Sequence, residues 1–169
     1  MHIFITGIAG FLGSNLSEYY LKKGFKVSGC DNLVGGSLDN IDVNQVNFYK
    51  ANCEDFETMK KITKNVDVIC HAAAYAHEGL SSFSPVLISS NNVTGSVSVF
   101  TAAIVNKIKR IVYCSSMARY GNIKTPFKED NILNYLLLLN LLSMSKYLKC
   151  LQKNNIYIQK LGLVIIAEE

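Results

Sequence analysis

The chain has 169 residues, 49% of them hydrophobic and 18% charged, with a formal charge of +4. That length and balance describe one globular domain able to bury a real core, and the scattered lysines argue for a solvated surface and against a nucleic-acid patch. Five cysteines stand at 30, 53, 70, 114 and 150, an odd number with no CxxC pair, which indicates neither a disulfide framework nor a zinc site. Free thiols in or beside strands suit a reducing cytosol, so a cytoplasmic location is expected. No run reaches the roughly 18 apolar residues of a membrane span. The short apolar run at the N-terminus has no basic region before it and reads as a strand, not a signal peptide.

In chain order, short β-branched runs alternate with helix-length segments up to about residue 116. Strands are predicted over Ile3–Thr6, Phe25–Cys30, Val46–Lys50, Val66–His71 and Ile111–Ser115. Their nearly continuous apolar character suits a parallel sheet covered on both faces. Helices are predicted over Phe11–Lys23, closed by Gly24, over Asp55–Thr63, and over Pro85–Asn106. The last has Ser84 as its N-cap and Pro85 at the first helical position. This β-α-β-α order predicts an α/β fold built on a doubly wound parallel sheet. After Asp130 the texture changes. "NILNYLLLLNLLSMSKYLKC" has neither Gly nor Pro and is crowded with leucine, while the only two prolines of the chain are at 85 and 126.

The first strand drops into glycines at 7, 10 and 13. A strand that ends in a Gly-rich turn and opens a helix offers a phosphate site, because the helix N-terminus presents free N–H groups and partial positive charge. Gly7 permits the tight turn, Gly10 lets backbone approach phosphate, and Gly13 lets the helix pack on the sheet. The spacing G-x-x-G-x-x-G departs from the G-x-G-x-x-G fingerprint, so the glycines alone also fit a plain βα turn. The second strand runs into Asp31, 18 residues after Gly13. An acidic residue there is placed to bind adenosine ribose hydroxyls and to repel a 2′-phosphate; a turn cap is the alternative.

With these residues in place, "TGIAGFLGSNL" followed by "DNL" resembles the extended short-chain dehydrogenase/reductase family, the NAD-dependent nucleotide-sugar epimerases and dehydratases, and within it the UDP-glucose 4-epimerase-like members. Further matches follow in order: "VDVICHAAA" (66–74) looks like the fourth strand with its H-x-A-A ending, "NNVTGS" (91–96) resembles the N-V-x-G-T element, and "RIVYCSSMARYG" (110–121) resembles the strand that delivers the catalytic Ser or Thr. The resemblance is firm over 1–130, and the whole chain, 1–169, is expected to form one NAD-binding, Rossmann-like domain. It implies that Gly7, Gly10, Phe11, Leu12 and Gly13 line the pyrophosphate of NAD and that Asp31 and Asn32 hold the adenosine ribose. Asn52 and Cys53 then stand beside adenine, where the family usually has Asp and an apolar residue. Ala72, Ala73 and Ala74 flank the cofactor's middle, and Asn92 supports the loop there. Ser116 falls on the catalytic Ser/Thr, four residues before Tyr120. Gly35 and Gly36 read as a flexible loop over the adenosine.

The resemblance also implies a chemistry: hydride passes from a sugar carbon to NAD while a Tyr, its pKa lowered by a Lys four residues on, takes the hydroxyl proton. Here the pattern breaks. Ser145-Lys146 stands where the family has S-K, making Lys146 the candidate catalytic and cofactor-binding lysine, but four residues earlier is Leu142, which cannot carry a proton. Tyr135 and Tyr147 lack the helical spacing to replace it. "YIQKLGLVIIAEE" has the character of a sixth strand, and the substrate domain is expected to be largely missing from this chain. Met117 and Ala118 after Ser116 disfavour a dehydratase, because that branch of the family carries an acidic pair there. His77 and Glu78 could contact the sugar or nicotinamide, or simply be solvated. His71 reads as a strand-end residue, and no metal is expected. Ile132–Leu142 suits a buried or dimer-facing helix, with a membrane-surface helix as the alternative. Two functions remain: an epimerase of a nucleotide sugar such as a UDP-hexose, with a homodimer as one possible assembly and no nucleic acid or membrane partner, or a non-catalytic NAD-binding module.

Overall fold

The computed structural model describes residues 1–76, 82–114, 126 and 157–161. Strand β1 (His2–Thr6) leads through the glycine turn into helix α1 (Phe11–Lys22), and β2 (Lys26–Asp31) follows. A 3-10 turn (Leu38–Asn40) precedes β3 (Asn47–Lys50), α2 (Phe56–Ile62) and β4 (Val68–His71). A composite helix comes next: α3 (Pro85–Ser89), a π-helical turn (Ser90–Thr94) and α4 (Gly95–Val105). Strands β5 (Arg110–Cys114) and β6 (Tyr157–Leu161) close the sheet. The strand order is β3-β2-β1-β4-β5-β6, parallel throughout, the Rossmann-like doubly wound arrangement.

The apolar strand residues explain the layers. Successive side chains of a strand point to opposite faces. Ile3 and Ile5 of β1 therefore join Val27 and Cys70 under α1, against Leu16, Tyr20 and Leu21. Phe4, from the same strand, faces the other way and joins Cys30, Ile69 and Ile111 under Met59 of α2 and Val99 and Phe100 of α4. Both faces are thus covered, as the unbroken apolar runs require.

The predicted elements sit within one or two residues of those observed, with two corrections. The helix expected over Pro85–Asn106 is interrupted by the π turn at Ser90–Thr94. Such turns add a residue to one helical turn and redirect side chains, and this one aims Asn92 at the strand-end loop, as described below. Ser84 precedes Pro85 as expected, but its side chain makes no capping hydrogen bond. The sixth strand is present as β6, in register with β5 from Arg110↔Tyr157 to Cys114↔Leu161. Ser115, the last residue of the predicted fifth strand, lies outside the described residues.

Candidate functional site

The sheet reverses its winding between β1 and β4, and ligands of such sheets bind at the carboxyl ends of the strands beside that point. A cleft of about 410 Å³ opens there. It is bounded by the turn after β1, the end of β2, and the loop after β4.

The turn is built for close backbone approach. Gly7 has φ +68°, the left-handed region, and a Cβ on it would lie 2.9 Å from Ala73 Cα. At Gly13 a Cβ would lie 2.7 Å from both the Gly7 carbonyl carbon and Ile8 Cα, so α1 packs on the turn only because that Cβ is missing. Gly10 stands at the N-cap of α1 and offers no side-chain cap, and the first turn has no acidic residue. Its first N–H groups are thus left for a ligand, at the positive end of the helix.

Asp31 is almost completely buried, and its carboxylate is divided between the two walls it joins. Oδ2 accepts from the Ala9 N–H at 3.1 Å, and Oδ1 accepts from the Leu33 N–H at 2.8 Å. Leu33 is held at φ 63°, unusual for a bulky residue and typical of ligand sites. Asp31 therefore does cap its own loop, yet it also lines the cleft, and a carboxylate has lone pairs for further donors. The loop of Gly35 and Gly36, expected to be flexible, is tied down: Ser37 N–H and Asn40 Nδ2 both donate to Ala9 O, at 3.1 and 2.8 Å.

The third wall is fixed from behind by a buried chain of polar groups. His71, at the end of β4, is buried, and burial pushes its pKa down to about 4, so the ring is neutral at ordinary pH. Its Nδ1 lies 2.7 Å from Thr6 Oγ1 and its Nε2 2.9 Å from Ser96 Oγ. Ser96 Oγ donates to Asn92 O at 2.6 Å, and the Ala73 N–H donates to Thr6 Oγ1 at 3.2 Å. Because Ser96 directs its proton to Asn92, the ring must donate from Nε2 and accept at Nδ1 from Thr6. Asn92 then clamps Tyr75, accepting from its N–H at 2.8 Å and donating to its O at 3.1 Å. The segment Ala72–Tyr75 is thereby held against the cleft from both ends.

Two thiols, Cys30 and Cys53, line the cleft along with Asp31. The weak hydrogen bond between Cys30 and Cys53, with burial added, raises the Cys30 thiol well above the usual range, and the same bond lowers that of Cys53.

Of the residues singled out in the sequence, Gly7, Gly10, Phe11, Leu12, Gly13, Asp31, Asn32, Cys53, Ala72, Ala73 and Ala74 all line this one cleft. Asn92 stands behind its wall. Asn52 is exposed and does not line it; its carbonyl accepts from the Asp55 N–H. Ser116, Lys146 and Leu142, with Tyr120, His77 and Glu78, lie outside the described residues. Sequence reasoning missed Cys30, Val34, Ala51, Tyr75 and Asn91 as lining residues. Cys30 could have been found from its place directly before Asp31; the others carry no chemical signal in the sequence. Among the described residues, no group of His, Cys, Asp and Glu could hold a metal ion.

A glycine turn opening an uncapped helix at the switch point, with a carboxylate at the end of the second strand, defines the dinucleotide-binding class of doubly wound proteins. The chain belongs to the NAD dependent epimerase/dehydratase family, whose model matches residues 3–141. It is 34% identical over 137 residues to a UDP-glucose 4-epimerase of Lactobacillus helveticus, a match covering 79% of this chain and 41% of that protein. The crystal structure of the Thermus thermophilus UDP-glucose 4-epimerase in complex with NAD superposes with a TM-score of 0.84 at 25% identity, covering 95% of this chain and 54% of that one. The UDP-glucose 4-epimerase of Thermotoga maritima, crystallised with UDP-glucose, gives 0.83 at 25% identity, over 94% and 54%. The chain thus spans about half the length, or less, of these relatives.

Proposed function

We propose that this chain is an NAD-dependent nucleotide-sugar epimerase of the UDP-glucose/UDP-galactose 4-epimerase kind, or its cofactor-binding portion, with a UDP-hexose as substrate. One observation carries the reading: the uncapped N-terminus of α1, the glycine turn and the Asp31 carboxylate open into the same cleft. The site fits the group, since a Cβ at Gly10 would meet only the Gly7 carbonyl oxygen, at 3.3 Å, and otherwise occupy the space beside the helix end that a phosphate needs.

In this reading Gly7, Gly10, Phe11, Leu12 and Gly13 hold the pyrophosphate, Asp31 and Asn32 the ribose, and Cys53 the adenine. Ala72, Ala73 and Ala74 flank the cofactor's middle, positioned by Asn92. When bound, NAD supplies a hydride acceptor for a carbinol carbon of the sugar. The chain's own part is proton handling: Ser116 hydrogen-bonds the sugar oxygen that loses its proton, and Lys146 adds positive charge beside the cofactor. A cytoplasmic location and a homodimer belong to this reading through the family resemblance; among the described residues no helix is long and apolar enough to cross a membrane.

Leu142, four residues before Lys146, favours a second reading, in which the chain binds NAD and turns nothing over. An assay for interconversion of UDP-glucose and UDP-galactose separates the two. The cofactor reading itself is tested by calorimetric titration with NAD and NADP. NAD is expected to bind, and NADP to bind at least about tenfold more weakly, because its 2′-phosphate would meet the Asp31 carboxylate. Equal binding of both, or binding of neither, would overturn it.

A further inference from the structure

His71 has no part in the chemistry above, yet it stands directly behind the cleft. It pairs in register with Thr6 at the end of β1. Its buried ring stacks on Tyr113 of β5 and meets Phe100 of α4 edge-on, with centroids 5.7 and 5.8 Å away. The hydrogen bonds that pass through the ring all run one way. Ala73 N–H donates to Thr6 Oγ1, the Thr6 hydroxyl to Nδ1, Nε2–H to Ser96 Oγ, and the Ser96 hydroxyl to Asn92 O. The Asn92 side chain then holds both backbone groups of Tyr75. The path thus leaves the cleft wall at Ala73 and returns to it at Tyr75, with the imidazole in the middle. Bonds aligned in one direction polarise one another, so a break at the centre is felt at both ends.

One end of this path rests on the glycine turn. A Cβ on Gly7 would lie 2.9 Å from Ala73 Cα and 3.0 Å from Ala73 N, so backbone lies directly on backbone there. The place of Ala73 therefore sets both the wall after β4 and the packing of the turn. We propose that His71 is a positioning residue for the dinucleotide: by accepting the Thr6 proton it leaves the Thr6 oxygen to take the Ala73 N–H, and so holds Ala73 against Gly7 at the spacing the cofactor needs. The consequence for the cofactor rests on the NAD reading given above; the control of Ala73 does not.

The position calls for a side chain that accepts on one side and donates on the other. Thr6 needs an acceptor for its proton, because its oxygen is already turned to the Ala73 N–H. Ser96 needs a donor, because its own proton goes to Asn92 O. A neutral imidazole with its proton on Nε2 meets both needs. A leucine of similar bulk meets neither, and leaves the Thr6 hydroxyl to turn toward another acceptor and away from the geometry that serves Ala73. An asparagine keeps an acceptor near the Nδ1 position and gives up the arm to Ser96. If His71 positions the wall through Thr6, loss of cofactor affinity follows the Thr6 arm and not the stability of the fold.

The test is calorimetric titration of the whole chain with NAD in the parent, His71→Leu, His71→Asn and Thr6→Val, beside urea denaturation and amide hydrogen exchange read by NMR. We expect His71→Leu and Thr6→Val each to bind NAD at least about tenfold more weakly, and the double variant to be no worse than either. His71→Asn should stay within about threefold of the parent in affinity although it is less stable. The Ala73 amide should exchange at least about tenfold faster in His71→Leu and Thr6→Val, measured against the β1 amides, which report global unfolding. Thr6→Val carries the same test by itself if His71→Leu does not fold. Unchanged affinity in these two variants, or affinity that falls in step with stability in all of them, His71→Asn included, would overturn the positioning role. Unchanged protection of Ala73 would overturn the path through Thr6. Failure of the parent to bind NAD would instead count against the cofactor reading, and the Ala73 exchange rates would then decide by themselves whether His71 sets the wall.

Discussion

Single atoms decide the glycine turn. A Cβ on Gly13 would collide with backbone atoms of Gly7 and Ile8, which cannot swing aside as a side chain could. Gly13→Ala is therefore expected to lower stability by about 1–3 kcal/mol and to abolish NAD binding. At Gly10 the added methyl would meet only the Gly7 carbonyl oxygen. Gly10→Ala should thus keep most of its stability while losing cofactor affinity. Urea denaturation beside calorimetry on the two variants checks the contrast, and an equally stable Gly13→Ala would remove the packing explanation. Asp31 shows why the functional and the structural readings of a residue need not compete. Two of its lone pairs hold the Ala9 and Leu33 N–H groups, and that same bonding holds the carboxylate at the cleft.

Between elements, the informative joint is where α2 ends against α4. Asn106, just past α4, donates from Nδ2 to Lys60 O at 2.8 Å and to Thr63 Oγ1 at 2.9 Å. Thr63 in turn donates to Met59 O at 2.7 Å. One amide thus satisfies a carbonyl at the C-terminal end of α2, which the helix itself leaves without a partner. Asn106→Ala should cost about 1 kcal/mol, read as a lower urea midpoint with an unchanged slope, and it should leave NAD affinity untouched because the joint is far from the strand ends. A shift in NAD affinity would show that this joint is coupled to the cleft. The π turn works in the opposite sense. It spoils an otherwise regular helix and in return turns Asn92 onto Tyr75, which lines the cleft.

Across the whole molecule, the Thr6–His71–Ser96 chain ties β1, β4 and the composite helix into one unit and makes stability depend on pH. Burial lowers the His71 pKa to about 4 from its ordinary 6.5. Between those values the unfolded chain binds the proton and the folded one does not, so stability rises with pH through that window. The contribution is fully present above 6.5 and lost as pH falls toward 4, on the order of 3 kcal/mol at full extent. Asp67, held below the usual carboxylate range by its hydrogen bond to Lys109, adds a loss of the same sign only at lower pH. Thermal unfolding of the parent and of His71→Asn at pH 7, 5.5 and 4.5 should show the parent weakening steadily and the variant, less stable at pH 7, changing much less. Parallel curves would exclude His71 as the source.

The sequence by itself determined the class of the molecule. Element order, the apolar strands and the β1 glycine turn are local matters of period, chirality and turn sterics, and local physics is legible in a string of residues. Most of the cleft was legible for the same reason, since Gly7 to Gly13, Asp31 and Ala72 to Ala74 each sit at the carboxyl end of a strand, and a parallel sheet brings those ends together. The tertiary structure alone decided what depends on packing between distant segments. It packed Cys53 on the core cluster that holds Cys30, left Asn52 off the cleft, broke the long helix at Ser90–Thr94 and made His71 a buried, neutral link. None of these follows from a spacing, because each is set by which side chain from another part of the chain fills the space beside it.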